Sequence, residues 1–86
     1  MKHMTYLEKF TIRAKNLFQV YPQANRVDWY SDGWVSARHK HPAHGTKFSA
    51  WINGGIETSK YDMRRGDGTG PQYLVFDAAK REVYRE

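Results

Sequence analysis

Leu7, Phe10, Ala14, Leu17, Phe18 and Tyr21 recur at intervals of three and four along the first quarter of the chain. Glu8, Lys9, Arg13, Lys15, Asn16 and Gln19 fill the positions between them. An apolar stripe at that period predicts an amphipathic helix over residues 5–20. Thr5-Tyr6-Leu7-Glu8 has the form of a capping box, in which the threonine hydroxyl and the glutamate carboxylate each accept a bond from a free amide of the first turn. Pro22 disfavours helical geometry at Tyr21 and predicts the stop.

The rest of the chain alternates with the two-residue period of strands. Residues 26–30, 34–40, 46–52 and 55–61 read as successive strands, followed by a final hairpin of 73–77 and 82–85. Ser31-Asp32-Gly33 and Asn53-Gly54 are turn signals. The expected fold is α+β, with one N-terminal amphipathic helix packed on a four- to six-stranded antiparallel sheet. A small open β-barrel plus helix is the alternative. Val27, Trp29, Val35, Ala37, Phe48, Ala50, Ile52, Ile56, Leu74 and Phe76 are expected to meet the helix, leaving the opposite sheet face solvated.

Length and composition narrow the class. The chain has 86 residues, of which 40% are hydrophobic and 15% aromatic. That suits a single folded domain over residues 1–86 rather than a disordered chain. Met1 to Met4 read as a tag remnant or a disordered start. There are no cysteines, so disulfides, thiolate metal sites and a cysteine nucleophile are excluded. No apolar run is as long as a membrane span. A soluble, cytoplasmic protein without a membrane partner is the expectation.

Charge adds a functional hint. The net charge is +5 and is unevenly spread. Residues 34–65 hold six Lys/Arg against two Asp/Glu, whereas residues 66–86 hold three against four. The same middle region carries Trp34 and Trp51. Trp34, Arg38, Lys40, Lys47 and Trp51 share one strand parity, so they are expected to form a basic, aromatic sheet face. Cations on such a face take phosphates, and rings stack bases at about 1–3 kcal/mol each. Arg64 and Arg65, which open the glycine-rich segment RRGDGTG, could add phosphate contacts through side chains and backbone amides. That segment lacks the spacing of a nucleotide-binding P-loop.

His39, His41 and His44 fall in one expected loop. The run His39-Lys40-His41-Pro42-Ala43-His44 resembles the His-x-His-x-Asp-His signature of the metallo-β-lactamase superfamily over six residues. Ala43 replaces the aspartate, and the chain is too short for that fold, so the resemblance implies neither that family nor its metal. Histidines beside Lys40 and Lys47 could also serve acid–base cleavage of a phosphodiester, which makes a His-dependent nuclease the remote alternative. No catalytic residue, metal ligand or cofactor is assigned.

The expectation from sequence is therefore a non-enzymatic nucleic-acid-binding module, DNA or RNA, with single strands favoured. Its contacts would be Trp34, Arg38, Lys40, His41, Lys47, Trp51, Arg64 and Arg65. The rival expectation is a small phage-type accessory protein that docks on an acidic protein surface and modulates or inhibits its partner. Trp, Tyr and Arg are also the residues that dominate protein interfaces.

Overall fold

A computed structural model describes residues 3–30, 44–62 and 73–86. The helix α1 runs Tyr6–Val20. Thr5 caps it as expected: the Glu8 amide donates to Thr5 Oγ1 at 3.0 Å, and the Thr5 amide donates to Glu8 Oε1 at 3.0 Å. Among the described residues five strands follow: β1 Ala24–Tyr30, β2 His44–Trp51, β3 Ile56–Asp62, β4 Tyr73–Asp77 and β5 Glu82–Arg85. They form one antiparallel sheet in the order β3-β2-β1-β4-β5. Among the described residues the sheet is open, with β3 and β5 at its edges, so the α+β expectation holds and the barrel alternative does not. The expected strand at 34–40 lies outside the described residues.

The helix lies over β1 and β2. Phe10, Ala14 and Leu17 from α1 meet Ala24, Val27, Phe48, Ala50 and Val75 in the core. Phe10 packs between Phe48 at 5.5 Å and Tyr73 at 6.4 Å, and Trp29 stacks on Phe48 at 4.9 Å. At the helix C-terminus Tyr21 stacks on Tyr84 of β5 at 4.8 Å. Arg13 donates to Glu86 Oε1 from both Nε and a terminal nitrogen, at 2.9 and 2.6 Å. These two contacts tie the helix to the β5 side of the sheet.

Two expectations about the sheet faces are corrected. Leu74 and Phe76 do not meet the helix. Val75 sits opposite Val27 and Tyr73 opposite Trp29, so the helix-facing parity of β4 is the odd one. The run YLVF is apolar on both parities, so its alternation carries no information about which face is which. The second correction is that the far face is not solvated at its centre. Asp28, Tyr30, Ser49 and Leu74 are all buried there.

Ile52 and Ile56, also expected inward, are 57% and 46% exposed. The reason is width. Five strands span about 19 Å at ~4.8 Å each, whereas a helix with its side chains is about 10–12 Å across. One helix placed over the central strand cannot reach the β3 edge.

Candidate functional site

The uncovered strip produces a groove. Its volume is about 390 Å³, and it runs between α1 and the β2–β3 hairpin. Thr11, Lys15 and Phe18 form the helix wall, Ala50 and Ile56 the floor, and Ile52 the far lip. The hairpin is shaped by Ile52-Asn53-Gly54. The Gly54 amide donates to the Trp51 carbonyl, the Trp51 amide to the Gly55 carbonyl, each at 2.9 Å. Gly54 adopts φ of 99°, a conformation that a side chain would strain. Asn53 Oδ1 accepts from the Gly55 amide at 3.2 Å. The Ile52 amide donates to Asn25, tying the hairpin tip back to β1. The lip of the groove is therefore braced by main-chain bonds.

Trp51 is half-buried and also lines this groove. A Cβ built on Gly55 would lie 3.9 Å from its ring, so the indole covers the turn. Lys47 was expected as a phosphate ligand. Its Nζ lies 3.6 Å from Asp28 Oδ2 and 5.6 Å from the Tyr30 ring centroid, so it is already engaged within the fold. Trp34, Arg38, Lys40, His41, Arg64 and Arg65 lie outside the described residues, as do His39 and the glycine-rich segment.

The far face holds a second polar constellation that sequence reasoning did not single out. Asp28 is 1% exposed, and Arg26 Nε lies 3.1 Å from its Oδ1. The pairs with Arg26 and Lys47 are close in distance, yet neither carboxylate oxygen receives a well-directed hydrogen bond among the described residues. Arg26 also rests on the Phe76 ring at 4.6 Å. Alternation put Asp28 on the outward parity, and nothing in its neighbours signalled that this parity would be buried.

All four arginines among the described residues face carboxylates: Arg13 with Glu86, Arg26 with Asp28, Arg81 with Asp77 and Arg85 with Glu82. Lys15 and Lys60 make no ion pair among the described residues. No group of three His, Cys, Asp or Glu side chains is placed to hold a metal among the described residues. No helix among them is long and apolar enough to cross a membrane.

Compared with known proteins, the chain matches no family model, no curated protein and no solved structure.

Proposed function

We propose that this chain is a non-enzymatic protein-binding module, an adaptor or modulator that captures an acidic protein partner in the groove between α1 and the β2–β3 hairpin. The observation that carries this reading is the pairing of a braced apolar groove with two exposed isoleucines, Ile52 at its lip and Ile56 in its floor. Exposed aliphatic side chains around a concavity cost solubility, and contiguous patches of this kind mark interaction sites. Lys15 on the groove wall supplies a positive charge that an acidic partner would meet.

The test is capture by the immobilised chain, with and without nuclease, followed by reconstitution with the purified captured protein. Binding should survive nuclease and be lost in Ile52→Asp while thermal unfolding of that variant stays unchanged. A captured protein that binds Ile52→Asp as well as wild type would overturn the assignment to this groove.

A nucleic-acid-binding module is the second reading, favoured by the net charge of +5 and its concentration over residues 34–65. In that case Trp34, Arg38, Lys40, His41, Arg64 and Arg65 carry the contacts with Trp51. Oligonucleotide affinity would fall steeply with salt, by about one unit of slope per phosphate contact. Capture that vanishes on nuclease treatment would favour this reading over the first.

A further inference from the structure

The edge of the sheet beside the groove specifies how a partner can enter it. Strand β3 is a seven-residue edge strand, paired on one side by β2 and on the other by nothing among the described residues. The bond from the Trp51 amide to the Gly55 carbonyl sets the phase of the β2–β3 ladder. Residues opposed across an antiparallel pair alternate between bonded and non-bonded sites. Ser49 opposite Glu57, Lys47 opposite Ser59 and Gly45 opposite Tyr61 are thereby the bonded pairs. Ile56, Thr58 and Lys60 then direct their amides and carbonyls away from β2, toward the open edge.

The same three residues share the helix-side face. Ile56 lies opposite Ala50 and Thr58 opposite Phe48, and both partners belong to the core under α1. A strand added at this edge would bond to the main chain of Ile56, Thr58 and Lys60. Its alternate side chains would stand beside theirs. The side chain facing Ile56 stands at the groove. The side chain facing Lys60 stands beside an ammonium with no ion-pair partner among the described residues.

We infer that the partner segment is an extended peptide that adds to the sheet beside β3, with a large apolar residue in the groove and an Asp or Glu four residues away against Lys60. This deepens the protein-binding reading and rests on it. The spacing follows from geometry: Ile56 and Lys60 are four residues apart on one face, and an added strand has the same two-residue period. It holds for either strand direction, only the order of the two residues being reversed. The other edge is a poorer acceptor, since β5 has four residues and carries the Glu82–Arg85 ion pair.

The test is selection of random peptides displayed against the immobilised chain. Enriched peptides should share an apolar residue and an acid four positions apart. The selected peptides are then measured against two variants. Thr58→Pro removes only an amide that points to the open edge, where proline is tolerated. It should weaken binding about tenfold, the upper worth of one main-chain hydrogen bond, without lowering the melting temperature. Lys60→Glu should weaken binding about fivefold or more, and replacing the peptide acid by lysine should restore it. Peptides with helical three-and-four spacing, or binding indifferent to both variants, would overturn strand addition. If the captured protein partner still requires Ile52, the protein-binding reading survives that failure. If neither peptide nor protein is bound, both fall.

Discussion

Asp28 is the residue on which the far face turns. Its carboxylate is buried between two cations that keep 27% of their side-chain exposure. Such a triad is weak grounds for stability, because desolvation offsets attraction, but removing one member leaves uncompensated charge. Asp28→Ala would leave Arg26 and Lys47 facing the same site with nothing between them. We expect a loss of about 3 kcal/mol, the low end of the range for a broken buried pair because both cations reach water. A triple change of Asp28, Arg26 and Lys47 to Leu, Met and Met should recover most of it; denaturant unfolding of the two variants side by side is the check. Lys80 gives a smaller effect. It holds φ of 65° in the β4–β5 turn, where Asp77 Oδ1 accepts from the amides of Ala79 and Arg81. Those bonds hold the Asp77 carboxyl below the usual carboxylate range, the Arg81 amide first among them. Left-handed geometry costs a side chain roughly 1–2 kcal/mol, and glycine's extra chain entropy offsets about 0.5–1 of that. Lys80→Gly should therefore stabilise slightly, read as a rise in melting temperature. The alternating pattern around Val27-Asp28-Trp29 identified which residues share a face, but burial of a face depends on what covers it, and alternation is silent on that.

At the scale of elements, the helix was the most legible part of the chain. The capping box and the stripe from Phe10 onward appear where the spacing put them, because each depends on residues three or four apart, whereas Leu7 at the head of the stripe is 41% exposed. Thr5→Ala should lose the bond from the Glu8 amide to the threonine hydroxyl, while the main-chain amide of residue 5 still donates to Glu8, and cost about 1 kcal/mol. The cap also makes a pH prediction. Bonds from the Thr5 amide and hydroxyl hold the Glu8 carboxyl below its ordinary value. A group whose folded pKa is depressed contributes stability above its unfolded pKa and loses it as pH falls through the folded one. The deficit of Glu8→Ala should thus be full at neutral pH and shrink below about pH 4, which melting curves of variant and wild type by circular dichroism would show. The strands were legible as segments, with 73–77 and 82–85 matching their observed limits. Their faces were less so. In β4 every inner position is apolar, and a register shift between Ala24 and Arg26 interrupts the β1–β4 pairing. One shifted residue reverses the side that each following side chain presents.

At the scale of the whole molecule, the described residues form a sheet wider than the one helix packed on it, and the candidate site is the consequence. No local pattern could show the groove, since Phe18 and Ile52 are brought together only by the position of α1 across the sheet. From the sequence, Ile52 and Ile56 read as core because aliphatic residues on alternating strands normally are. Their exposure separates what folding needs from what binding needs. The total stability of a chain this size is about 4–13 kcal/mol. Phe10, 1% exposed and packed on Phe48 and Tyr73, belongs to folding: Phe10→Ala should remove about 3–5 kcal/mol and leave a marginal domain. Ile52 belongs to the surface, and Ile52→Asp should change stability by no more than about 0.5 kcal/mol, as a substitution away from the core does. Urea titration of the two variants with the wild type gives both numbers. Equal, large losses would mean that Ile52 closes the core, and the groove would then be a packing detail. A loss confined to Phe10→Ala would show that folding does not require the exposed Ile52 side chain, which leaves it available to the partner proposed for the groove.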